Sequence, residues 1–184
     1  MAGRRRIVAI RAVGVRKSGR AVKIRRANDE DIPRAVELWL EMMRRHQEFD
    51  PRIDLSRTAR AAYQSYLMLH ARSEKSILLV AEDADGVQGF CCAYVCANLP
   101  MFTPPEFGLI SDIYVRPEFR RQGLGTRMVR RVTDAFKKQG VRSAHLQVYH
   151  KNEKGKAFWR ARGFEPFVDR MYLDLDNPEE TSEE

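Results

Sequence analysis

Arg120-Arg121-Gln122-Gly123-Leu124-Gly125-Thr126 decides the fold of this 184-residue chain. It follows an apolar, strand-like run, Leu109-Ile110-Ser111-Asp112-Ile113-Tyr114-Val115, and opens a helix-like run from Leu124. Glycine admits φ > 0 and lets a ligand approach without a Cβ in the way. The first amides of a helix have no intrahelical partner, and the helix dipole adds partial positive charge there. A strand that turns into a helix through such a loop is a seat for phosphate or pyrophosphate. The same residues also suit a plain turn that needs glycine only for packing.

The flanking sequence extends the reading in both directions. Upstream, Ala21 to Arg26 reads as a strand, preceded by a basic arm at residues 1–20 that either extends the sheet as a hairpin or stays outside it. Asn28-Asp29-Glu30-Asp31 opens a helix to about Phe49, with Ile32, Val36, Trp39, Leu40 and Met43 on its apolar face. Asp50-Pro51 stops it. Ser56 is the expected cap of a second helix, running to about Arg72. Ser76 to Glu82 and Val87 to Ala97 read as strands joined by an Asp83-Ala84-Asp85-Gly86 hairpin turn. A proline-rich loop, residues 100–106, leads into the strand Phe107 to Val115. Downstream, Leu124 to Lys138 is a helix with Leu124, Met128, Val132 and Ala135 on one face, stopped by Gly140. Ser143 to Tyr149 reads as a strand, Glu153 to Arg162 as a helix, and Phe164 to Val168 and Met171 to Leu175 as closing strands. An acidic tail begins at Asp176.

A second block, Asn152-Glu153-Lys154-Gly155-Lys156-Ala157-Phe158-Trp159-Arg160-Ala161-Arg162-Gly163-Phe164, lies downstream of the glycine turn. Together with the R-x-x-G-x-G pattern of the turn, it resembles the GNAT superfamily of N-acetyltransferases. The order of elements from Val22 to Leu175 matches that family too. The resemblance implies an α/β GNAT fold: a central mixed, mostly antiparallel, twisted sheet of about seven strands with about four helices. It implies that the fourth and fifth strands splay apart, over a domain spanning residues 21–175.

It also implies acetyl-CoA as cosubstrate, with no metal. The loop residues Arg120, Arg121, Gln122, Gly123, Leu124, Gly125 and Thr126 would hold the pyrophosphate. Ile113, Tyr114 and Val115 would offer main-chain contacts to the pantetheine and an amide for the thioester carbonyl. Asn152 would hydrogen-bond the pantetheine or cap its own helix, or both. Phe158 and Trp159 would pack on the cosubstrate. An amine acceptor must lose a proton before it attacks. Asp112, an acid midway along an apolar strand, is the first candidate base; a structural, salt-bridged acid is the alternative. Ser111, on the opposite strand face, stands where some relatives carry Glu. Trp159 takes the place of the family's Tyr and has no acidic proton to return to the CoA thiolate, so Tyr149 or water fills that role.

The first two helices and the loop at 100–106 would select the acceptor. Glu41, His46, Glu48, Asp50 and Asp54 stand there, with Tyr63 and Tyr66; the acids would suit a cationic small-molecule or peptide amine, and His46 reads as a solvated helix histidine. A homodimer is compatible with this reading. A CoA-binding sensor or scaffold without catalysis is the rival, kept in play by Trp159.

Composition excludes other classes. The net charge of +8 belongs to the arm: residues 1–26 hold ten Lys or Arg and no acid, and without them 23 basic residues face 25 acidic ones, a net of −2. No aromatic stacking residue or groove-reading motif accompanies that arm, so nucleic acid is not the expected partner. Cys91, Cys92 and Cys96 share one strand-like run with no partner cluster, as buried reduced thiols in a cytoplasmic protein would. No apolar run approaches the ~20 residues of a membrane span. Arg11 breaks the N-terminal apolar pieces, against a signal peptide.

Overall fold

A computed structural model describes residues 21–175. The chain runs β1 (Lys23–Arg26), a 3-10 turn (Asp29–Asp31), α1 (Ile32–Phe49), α2 (Ala59–Arg72), β2 (Ser76–Asp83), β3 (Gly86–Ala97), β4 (Glu106–Val115), α3 (Leu124–Lys138), β5 (Ala144–Leu146) and α4 (Glu153–Arg160). The sheet keeps sequence order, β1-β2-β3-β4-β5. The first three pairings are antiparallel and the last, β4 with β5, is parallel.

Alternation along the strands builds two cores. Ile77, Leu79 and Ala81 of β2, with Cys91 and Ala93 of β3, pack under Leu124, Met128, Val132 and Phe136 of α3 and Trp159 of α4. Leu78 and Val80, with Phe90 and Cys92, pack under Ile32, Val36 and Leu38 of α1 and Tyr63 and Leu67 of α2. A strand covered on both faces needs an almost continuous apolar run, which β2 has in Ile77-Leu78-Leu79-Val80-Ala81. Each fully buried side chain of this kind contributes about 1.5–3 kcal/mol.

An ion network fixes the entry to α1. Arg25 on β1 reaches Asp31 at 2.6 Å and Glu82 on β2 at 2.8 Å. Burial alone would raise the Asp31 carboxyl, but the Arg25 bridge and the Asn28 amide outweigh it and hold the carboxyl low. Asn28 and Asp31 close a capping box. Leu38 is more deeply buried than Trp39 or Leu40, so the helix is rotated slightly from the face its sequence suggests.

Several expectations need correcting. Among the described residues the sheet has five strands and not about seven. Phe164 to Val168 and Met171 to Leu175 form no strand, and Phe167 and Met171 stand 84% and 89% exposed. Pro166 removes a ladder donor in the middle of the first segment, and β5 offers only three residues as a template. Ser56 does not cap α2. The cap position is Thr58, and the Ser56 hydroxyl lies 3.2 Å from that of Thr58. α4 ends at Arg160. Cys91 and Cys92 are buried on opposite faces, whereas Cys96 is only half-buried. The basic arm at 1–20 and the acidic tail lie outside the described residues. No helix among the described residues is long and apolar enough to cross a membrane.

Candidate active site

The site begins where β4 and β5 part. Their pairing covers Gly108 with Ala144, Leu109 with His145 and Ile110 with Leu146, and stops there. Beyond Ile110, β4 continues to Val115 with its other edge still paired to β3. Among the described residues, the edge of residues 111–115 that faces β5 therefore has no strand partner. Unpaired strand edges bind extended, peptide-like chains through main-chain hydrogen bonds.

A β-bulge falls at the same point. Cys92 faces Asp112 while the next residue, Ala93, faces Ile110, so Ser111 is left without an opposite residue. The bulge resets the alternation. Ile110, Ile113 and Val115 now share the α3 face, and Tyr114 joins the α1/α2 face. Ser111 donates to the Cys92 carbonyl at 3.2 Å, and its hydroxyl faces Tyr66 of α2. Asp112 faces Trp39 of α1 and Tyr63 of α2. Ser111 and Asp112 therefore both serve the α1/α2 side, which corrects the expectation that they lie on opposite faces.

Asp112 keeps some exposed surface but is hemmed in by protein. Burial raises its carboxyl pKa. The polar hydrogens of Ser111, Tyr63 and Trp39 that face it pull the other way without cancelling that rise. The Tyr63 ring is 8% exposed, and its hydroxyl completes no hydrogen bond. Tyr63 stacks on Trp39 at 4.1 Å and lies 5.5 Å from Tyr66.

The glycine turn sits at the far end of β4. Gly123 is the cap residue of α3 at φ 74°, and Arg121 also has positive φ, 59°. A Cβ at Gly123 would meet no atom within 4 Å, so conformation and not packing requires glycine there. Gly125 obeys the opposite rule: its Cβ would stand 3.1 Å from the Phe158 ring. Leu124 is buried in the α3 core. Arg120 folds back, donating from Nε to the Val115 carbonyl at 2.7 Å with its guanidinium over Tyr114. Gln122 donates to the Glu118 carbonyl at 3.3 Å. Thr126 accepts from Arg162, whose guanidinium also lies 3.5 Å from the centre of the Phe158 ring.

The second block is packed more inwardly than its pattern suggests. Asn152 caps α4, accepting from the Gly155 amide at 2.9 Å. Trp159 is 8% exposed and meets Phe158 and Phe164 edge-on inside the core. Tyr149 lies just past β5, 41% exposed, with His46 of α1 against it at 4.8 Å between ring centres. His46 is not the solvated residue expected. It is half-buried, burial lowers its pKa, and its Nδ1 finds no partner. Only helix periodicity hinted at this: His46 follows Trp39 by seven residues, two turns along one face of α1.

The acids on α1 and the following loop are mostly engaged. Glu41 lies 3.7 Å from Arg34 and 4.0 Å from Arg116, and accepts from the Tyr114 hydroxyl at 3.5 Å. Asp50 is held by Arg52, and Glu37 by Arg60. A crevice of about 240 Å³ beside Tyr114 is lined by Glu41, Arg44, Arg45 and Glu48. Among the described residues, no three His, Cys, Asp or Glu side chains converge to hold a metal ion.

Comparisons with known proteins bear on the family and the fold. A family model described as the acetyltransferase (GNAT) family matches residues 37–164. The uncharacterized N-acetyltransferase YhfO of Bacillus subtilis is 25% identical over 115 residues, 62% of this chain and 76% of that one. A solved structure of BH1408 from Bacillus halodurans, a tetramutant, superposes with a TM-score of 0.74 at 24% identity, covering 83% of this chain and 99% of that one. The aminoglycoside N-acetyltransferase AAC(6')-Iy, solved with CoA, gives a TM-score of 0.66 at 16% identity, covering 85% and 95%.

Proposed function

The chain belongs to the acetyltransferase (GNAT) family, and from that premise we propose that it transfers an acetyl group from acetyl-CoA directly to a primary amine of a small molecule or peptide. The observation that carries this is the splay after Ile110, with its unpaired β4 edge running into the positive-φ turn at Gly123. That arrangement fits acetyl-CoA. The edge at 113–115 suits the amides of the pantetheine, and the turn and first amides of α3 suit the pyrophosphate. Arg120, Arg121, Gln122 and Thr126 surround that turn, while Leu124 and Phe158 shape it from below. Neighbours of this fold solved with CoA support the cosubstrate, and an aminoglycoside N-acetyltransferase among them supports an amine acceptor.

Acetyl-CoA supplies an activated thioester. Asp112 takes one proton from the ammonium, and the neutral amine nitrogen then bonds to the acetyl carbon. The backbone amide at Ile113 or Tyr114 stabilises the oxygen of the carbonyl under attack. The carbon–sulfur bond breaks as the nitrogen gives its second proton to water, and Tyr149 or water protonates the thiolate. A thiol pKa near ~8.5 makes water sufficient. His46, packed against Tyr149, holds the phenol at the mouth of the splay. A raised Asp112 pKa suits this work, since a base performs best when its pKa lies near the working pH. No cysteine takes part: burial pushes the Cys92 thiol up to about 12, far from a nucleophile.

The test is amine-dependent thiol release, with the acetylated product identified by mass. The proposal predicts release that saturates with amine and ceases without it. Tight acetyl-CoA binding with no release on any amine would favour the sensor reading instead.

A further inference from the structure

The α1/α2 side of the bulge carries more aromatic surface than a general base requires. Trp39 stacks on Tyr63 at 4.1 Å, Tyr63 adjoins Tyr66 at 5.5 Å, and Tyr66 meets Tyr94 of β3 edge-on at 6.3 Å. Trp39, Tyr66 and Tyr94 are each partly exposed, whereas Tyr63 is buried. The row ends at Asp112. The Tyr63 hydroxyl, buried and unpartnered, faces that same carboxyl. A bound polar group would give that hydroxyl the partner it lacks.

Charge around this row limits what enters. Asp112 is the one carboxylate of the described residues that faces Trp39 and Tyr63. Glu41, the next acid along α1, is flanked by Arg34 and Arg116. Arg44 and Arg45 line the neighbouring crevice together with Glu41 and Glu48. A polycation would bring further positive charges toward Arg34, Arg44, Arg45 and Arg116, which outnumber the two acids there. A single ammonium satisfies Asp112 and gives the Tyr63 hydroxyl a partner, and aromatic faces attract both a cation and an aromatic ring.

Resting on the transferase reading above, we propose that the acceptor is a monoamine carried on an aromatic body, an arylalkylamine. Its ammonium sits between Asp112 and the Tyr63 hydroxyl, and its ring lies along Trp39 and Tyr66. Asp112 and Tyr63 fix the nitrogen, and the ring contacts set specificity. The site disfavours aminoglycosides and polyamines.

The experiment compares kcat/KM for phenethylamine, tryptamine, butylamine, spermidine and kanamycin by thiol release. Phenethylamine or tryptamine should exceed spermidine and kanamycin by about tenfold or more, on the scale of aromatic and cation–π contacts. Tyr66→Leu should raise KM for phenethylamine about tenfold, with kcat, butylamine kinetics and acetyl-CoA affinity nearly unchanged. Phenethylamine should also quench the fluorescence of Trp39, a response that Trp39→Phe removes while Trp159 remains in the core. That readout needs no turnover. Turnover led by spermidine or kanamycin would overturn the acceptor class and leave the transferase reading standing. An equal loss for every amine in Tyr66→Leu would overturn it as well. No turnover with any amine, despite acetyl-CoA binding, would overturn the transferase reading and this acceptor class with it.

Discussion

The two sides of β4 are built by different rules. Toward α3, the geometry comes from backbone: an unpaired edge, a positive φ at Gly123 and the first amides of a helix. Toward α1 and α2, it comes from side chains: Asp112, Trp39, Tyr63 and Tyr66, drawn from three elements distant in sequence. On the proposed function, one side meets acetyl-CoA, whose chemistry is fixed, and glycines with a helix terminus suffice. On the same reading the other recognises a particular amine, and that takes side chains that can vary while the fold stays the same.

Substitutions on each side should separate binding from chemistry. The largest effect is expected at the turn. Gly123→Val puts a β-branched residue at φ 74° and a side chain where the phosphate approaches, so acetyl-CoA affinity should fall by about 100-fold or more while the protein stays folded. Calorimetry with circular dichroism as control decides; a folded variant with unchanged affinity would dissolve the backbone half of the comparison.

Next comes Asp112→Asn, which should lower kcat by about 100-fold, the span of a general base, and leave acetyl-CoA affinity nearly intact. It should also raise the Tm at neutral pH. Burial lifts the Asp112 pKa in the folded state above its unfolded value of about 3.9. The folded chain then holds the proton longer than the unfolded chain. The carboxyl costs nothing at low pH, begins to cost as pH rises through the unfolded value, and costs fully above the folded value. The gain in Tm should therefore vanish in acid. A variant that loses both stability and activity would mark Asp112 as a structural acid.

Tyr149→Phe should cost less than about tenfold in kcat, since water can protonate a thiolate of pKa near ~8.5. A loss as large as that of Asp112→Asn would make the phenol the required acid. Deleting residues 1–20 should change neither acetyl-CoA affinity nor kcat. A truncated chain that fails to fold would instead assign that arm to the sheet.

What could be read from the sequence follows the same division. The glycine turn and α3 are local, and α3 begins at Leu124 and ends at Lys138, as its periodicity and Gly140 indicate. On the side-chain half, Asp112, Tyr63 and Tyr66 could be picked out, but not how they are arranged. Alternation places Ser111 and Asp112 on opposite faces, and only the register against Cys92 and Ala93 creates the bulge that brings them to one side. His46 of α1 lies against Tyr149, past the end of β5, a tertiary contact that no window around residue 46 contains. Trp159 matches its family position in sequence, yet packs into the core between Phe158 and Phe164. The two closing strands looked plausible by composition, but a ladder needs a partner edge, and β5 supplies three residues.

The most direct test of the central claim is a crystal structure of the protein with CoA. The account predicts pyrophosphate oxygens within hydrogen-bond reach of the amides at residues 121–125, and the pantetheine lying along Ile113 to Val115 between β4 and the end of β5. Its sulfur should point toward Asp112 and Tyr149. A CoA bound elsewhere, or a β4 edge closed by backbone pairing with residues 147–149, would contradict it.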